Sequence, residues 1–72
     1  MTILVVTNSK NMDMELIPCN SKEDAKNKLV RIFETLCEKN RFDVNNTFYA
    51  EEECYAQIVN GLESYELRIG EL

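Results

Sequence analysis

Four kinds of side chain in this 72-residue sequence could take part in chemistry: three cysteines, a run of three glutamates, three tyrosines and two glycines. A nucleophile needs a base beside it, and histidine, the commonest base, does not occur in the chain. Cys19, Cys37 and Cys54 are widely spaced and form no Cys-x-x-Cys pair. A closed zinc site takes four Cys or His ligands, which these three do not supply. Glu51-Glu52-Glu53 offers the carboxylate oxygens that hard cations prefer. No EF-hand spacing surrounds it, however, and adjacent acids on an extended chain point to alternating sides, so a solvated loop is expected there. Gly61 and Gly70 fall in a hairpin and near the end of the sequence, which leaves no glycine-rich loop to cradle a phosphate. Tyr49, Tyr55 and Tyr65 with Phe48 provide rings for stacking on bases, but Lys and Arg do not cluster around them. The expectation is a non-enzymatic chain with no catalytic residue, no cofactor and no metal ligand.

The elements that carry these residues are organised around Asn20–Asn40, the longest readable pattern. Ser21 is placed as an N-cap, with Asp24 three residues on to complete a capping box. Ala25, Leu29, Ile32, Phe33 and Leu36 then fall on about one third of a helix circumference. Cys37 lies at the margin of that stripe, where a thiol is inert packing. Asn40 can take the left-handed conformation of a C-cap.

Ile3–Val6 and Met14–Cys19 read as two strands paired in a hairpin, with Thr7 opposite Met14, Val5 opposite Leu16 and Leu4 opposite Ile17. Pro18 marks an edge or a strand exit. Asn60-Gly61 between two alternating runs is the strongest hairpin signal in the chain. A two-residue turn there sets Val59 against Leu62 and gives Cys54, Ala56, Ile58, Tyr65, Leu67 and Ile69 one shared apolar face. The segment 41–53 has the weakest pattern: Phe42 and Val44 pack the helix end onto the sheet, and 47–50 reads as a short strand or a single helical turn before the three glutamates, with the extended form preferred. The expected architecture is a single α+β domain over 1–72, a two-layer ββαββ sandwich with one helix on an antiparallel or mixed four-stranded sheet.

One helix covers one face of a sheet. The other face is expected to carry Leu4, Val6, Ile17, Tyr55, Val59 and Leu62, an apolar patch of the kind that marks an interface. Charge is asymmetric: residues 1–42 carry seven basic against six acidic side chains, whereas 43–72 carry seven acidic against Arg68 alone. The overall −5 disfavours direct binding to nucleic acid and fits either solubility alone, the commoner reason for an acidic small domain, or a basic protein surface as partner, with Glu51, Glu52, Glu53, Glu63 and Glu66 as the acidic contact residues. The opening Met1–Thr7 has no signal-peptide character and no stretch has transmembrane length, so a reducing cytoplasm and no membrane are expected.

In size, acidity and its closing hairpin, Tyr55-Ala56-Gln57-Ile58 followed by Asn60-Gly61 and Tyr65-Glu66-Leu67-Arg68-Ile69-Gly70, the chain resembles small acidic proteins of phages and mobile elements of Gram-positive bacteria. Anti-CRISPR and other anti-defence inhibitors come from that pool. The resemblance implies a binding protein that inhibits by occluding a host protein, and it transfers no site residues. The alternatives are a self-associating structural protein, a homodimer without a foreign target, and a small ligand-binding domain or enzyme.

Overall fold

The computed structural model describes residues 1–10, 12–39, 45–61 and 63–72. The two opening β-rich segments form strands β1 (Thr2–Asn8) and β2 (Asp13–Cys19), paired antiparallel. Thr7 lies opposite Met14, Val5 opposite Leu16 and Leu4 opposite Ile17, the register expected from the residue pattern. β2 is an outer strand of the sheet, where Pro18 can stand without removing a hydrogen bond from a central ladder.

Helix α1 (Lys22–Lys39) begins at a formed cap. The Asp24 amide donates to Ser21 Oγ (3.1 Å), and the Ala25 amide donates to the Ser21 carbonyl (3.0 Å). In return, Asp24 Oδ2 accepts from the Asn20 amide at 3.0 Å, one residue before the Ser21 amide that the capping-box pattern would use. Asp24 also pairs with Lys28 one turn on, at 3.2 Å. The Asn20 amide first, and Lys28 after it, hold the Asp24 carboxyl below its ordinary pKa. Ala25 and Leu29 are fully buried, and Ile32 and Phe33 pack half-buried beside them, so the apolar stripe is the face laid on the sheet. The expectations for Asn40, Phe42 and Val44 lie outside the described residues.

The second half differs from its expectation in two ways. Phe48–Ala50 is a strand of its own, β3, so the order is ββαβββ and the sheet has five strands rather than four. Three residues are too few to leave an alternation pattern in the sequence. β3 is held by its neighbours instead: by pairing with β4 (Tyr55–Asn60), by the Tyr49 ring 6.3 Å from Phe33, and by Thr47 Oγ1 accepting the Val59 amide (3.1 Å). Between β3 and β4, Glu51–Glu53 make a single 3₁₀ turn, not an extended loop.

The closing hairpin of β4 and β5 (Glu63–Glu71) also slips by two residues: Val59 faces Ser64 and Asn60 faces Glu63, not Val59 and Leu62. Gly61, at φ +63°, stands first between the paired ends, a place that a reversal of this length reserves for glycine. Because side chains alternate with a period of two, the slip leaves the described strand residues of the hairpin on their expected faces, whereas Cys54, expected on the apolar face, falls in the turn before β4. Leu62 itself lies outside the described residues.

All neighbouring strands are antiparallel, in the order β2-β1-β5-β4-β3. Leu4, Leu29, Ala56 and Leu67 form the fully buried centre between helix and sheet, with Val6, Ile17, Cys19, Ile32, Phe33, Tyr49 and Ile69 packed against it.

Candidate protein-docking face

The pairing of β1 with β5 decides which face of the first hairpin lies beneath the helix. Leu4 is opposite Ile69 and Val6 is opposite Leu67, which in turn is opposite Ala56. Directly opposed residues share a face, so Leu4 and Val6 join the apolar side of the closing hairpin under α1. Ile17, opposite Leu4, follows them. The expectation that Leu4, Val6 and Ile17 line the uncovered face is therefore corrected: Leu4 is wholly buried, and Val6 and Ile17 pack on the core.

Their neighbours on the same strands take that place. Tyr55 and Val59 are on the open face as expected, and Ile3, Val5, Met14 and Leu16 join them there. Two rows cross it side by side. One runs Leu16, Val5, Arg68, Tyr55, Ala50, and the next runs Met14, Thr7, Glu66, Gln57, Phe48. Met14, Leu16 and Phe48 are 65%, 57% and 44% exposed, large apolar side chains standing in water on one surface. Both faces of the first hairpin are apolar in sequence, so the pattern alone did not distinguish them. Glu15 shares the face of Leu4 and pointed the wrong way: on the outer strand its carboxylate reaches water past the helix.

At the middle of the open face the polar side chains hold one another. The Arg68 guanidinium lies 4.9 Å from the centre of the Tyr55 ring and 3.4 Å from Glu66 Oε2. The Tyr55 hydroxyl can donate to Gln57 Oε1 (2.9 Å) or to Glu66 Oε1 (3.3 Å), and the Phe48 ring packs at 5.8 Å against that of Tyr55. Burial, then the neighbouring Glu66 carboxylate, raise the pKa of the Tyr55 phenol, so it stays a hydrogen-bond donor. The cluster gives the face a fixed centre with apolar side chains at both edges.

The acidic residues do not gather into one surface. Glu66 is on the open face, tied to Arg68, whereas Glu63 lies on the helix side, where it accepts from the Tyr65 hydroxyl at 3.0 Å. Glu51, Glu52 and Glu53 are exposed at the other end of β4, about 20 Å from Glu63 by the length of a six-residue strand. A 3₁₀ turn has about three residues per turn, so it fans their carboxylates around its axis. Among the described residues no three His, Cys, Asp or Glu side chains converge as a metal site requires.

The cysteines are all half-buried. Cys19 packs against the core and donates its S–H to the Ile17 carbonyl at 3.3 Å. Burial pushes the Cys37 thiol up, away from the reactive thiolate. Cys54 is not a strand residue: it closes the 3₁₀ turn in the left-handed conformation (φ 53°), its amide donating to the Glu51 carbonyl. An open concavity of about 570 Å³ lies between the start of α1 and β3, lined by charges of both signs, Lys22 and Lys26 with Glu23 and Glu51. Among the described residues no helix is long and apolar enough to cross a membrane. The chain matches no protein-family model, no curated protein and no solved structure.

Proposed function

We propose that this chain is a non-enzymatic protein-binding module that works through the open face of its sheet. In the phage or mobile-element setting that its resemblance implies, it is an inhibitor of the anti-CRISPR or anti-defence kind, occluding a host protein. The observation that supports this is the open face itself. Among the described residues one helix covers one side of the five-stranded sheet, and the other side carries Met14, Leu16 and Phe48 exposed around an ordered Tyr55–Arg68–Glu66 centre. An interface of this make-up, aromatic and Arg in the middle with aliphatic side chains about it, is the usual composition of a binding hot spot. The net charge of −5 steers encounters toward basic proteins.

The test is affinity capture from a bacterial host lysate with the wild-type chain and with Leu16→Glu, at low and high salt. A host protein held by the wild type and lost by the variant is the expected result. A partner held equally by both would mean that binding uses a different surface. A second reading, in which another copy of the chain covers the same face, is favoured by the absence of net charge on that face among the described residues.

A further inference from the structure

We infer that the open face is covered by a second copy of this chain, packed face to face about a two-fold axis that crosses the strands between Glu66 and Arg68. The inference rests on the reading of that face as a docking surface and names its partner.

Charge is the first argument. The chain carries −5, yet Glu66 and Arg68 are the charged side chains of the open face among the described residues, and they cancel. A basic partner gains nothing from a neutral face. A surface with one charge of each sign, two residues apart on a central strand, is complementary to itself.

Geometry is the second. A half-turn about an axis lying across the strands reverses their direction and leaves each strand above its own counterpart. The two rows of the face then exchange places. Arg68 comes over the second copy's Glu66 and Leu16 over its Met14. Phe48, the most protruding ring, comes over the second copy's Ala50, whose methyl group leaves room for it. One operation therefore satisfies the ion pair, the aliphatic contact and the large-on-small contact together. Stacked sheets cross at about 30°, which keeps the central strands in this register and splays the outer ones.

Area is the third. The five strands hold 32 residues, which at about 3.3 Å by 4.8 Å each make a face of roughly 500 Å² per copy, so two fully overlapping copies come to about the ~1,000 Å² that a specific interface needs. The chain exposes 5029 Å² in all. A compact monomer of its 8.4 kDa mass would expose about 4,600 Å².

Sedimentation velocity at micromolar concentrations is the experiment, with the wild type, Glu66→Arg, Arg68→Glu and Leu16→Glu. The wild type sediments as a dimer. Glu66→Arg and Arg68→Glu place like charges against each other across the axis, and each self-associates about tenfold or more weakly. When the two are mixed in equal amounts, every cross-axis pair is of opposite sign, and a 1:1 heterodimer forms. Exchange of charges within a single chain cannot produce that rescue, and circular dichroism confirms that both variants are folded. A wild type that stays monomeric, or a dimer indifferent to all three substitutions, overturns the inference. If the monomeric wild type still holds a host protein that Leu16→Glu loses, the docking face stands and only its partner is wrong. If capture is also unaffected, both readings fall.

Discussion

Replacing Leu29 by Ala tests the assignment of the covered face most directly. Leu29 is the fully buried helix side chain set among Leu4, Ala56 and Leu67. A buried leucine truncated to alanine loses about 3–5 kcal/mol, the upper part from the cavity that incomplete relaxation leaves. At about 0.05–0.15 kcal/mol per residue, a domain of this size has roughly 4–11 kcal/mol of stability, so the substitution removes about a quarter of it or more. At about 4 °C or more per kcal/mol for small domains, the midpoint falls by at least about 12 °C. Leu16→Ala removes the same atoms from the open face. Leu16 is 57% exposed and buries less than half of its side chain. Full burial of leucine contributes about 1.5–3 kcal/mol, so its loss is about 1 kcal/mol. Urea unfolding followed by circular dichroism, at a protein dilution where the chain is monomeric, measures both. Equal costs for the two leucines would refute the placement of the helix over Leu4 rather than over Leu16.

Ser21→Ala removes the oxygen that accepts the Asp24 amide and is expected to lower stability by about 1 kcal/mol in the same assay. Asp24 gives the cap a pH dependence. Its pKa is depressed in the folded chain, so its contribution is complete above the ordinary value of 3.8 and is lost as pH falls below that through the folded value. Stability of Asp24→Asn measured against pH should lose that part of the acid slope. Gly61→Ala meets no atom within 4 Å but must hold φ +63°, so it loses about 1 kcal/mol from backbone strain. Gly70→Ala is equally uncrowded, without positive φ, and is expected to be neutral or to stabilise by about 0.5 kcal/mol through the unfolded chain.

The parts of the fold legible in the sequence are those where two local signals agree. The helix was marked twice, by Ser21 with Asp24 and by the apolar stripe: the Ser21 cap and the stripe hold, while Asp24 returns to the Asn20 amide instead of that of Ser21. The first hairpin was read to the residue because the simplest pairing across a short loop, Val5 against Leu16, is the one that forms. The closing hairpin was read two residues out of register, and its faces survived because the error was an even number. A short strand was one of two readings of 47–50, and three residues could not decide between them: β3 is fixed by its pairing with β4, by the Phe33 ring and by the hydrogen bond from Val59 to Thr47. The candidate site was half legible. Tyr55 and Val59 were placed correctly by their own hairpin, whereas Leu4, Val6 and Ile17 were misplaced because the decisive fact is the β1–β5 register, a pairing across more than sixty residues of sequence.

That same register explains how a chain of charge −5 can have a face that attracts its own kind. β5 carries Glu63, Leu67, Ile69 and Glu71 on the helix side and Glu66 and Arg68 on the other, so its only cation is spent on the open face. The remaining acids among the described residues stand outside that face. Under the two-fold arrangement, reversal of the strands sends the Glu51–Glu53 turns of the two copies to opposite sides of the axis, each starting about two residues from it and so roughly 13 Å apart along the strands. That exceeds the ~8 Å screening length at physiological ionic strength, so the repulsion between the acidic turns is partly screened. The two proposed occupants then compete for one surface. A host protein that takes the open face must displace the second copy, and its apparent affinity is reduced by the fraction of chain present as monomer. Self-association therefore sets how readily the face is available for occlusion, and a variant unable to pair should bind a foreign partner more tightly so long as Leu16 and Met14 are left intact.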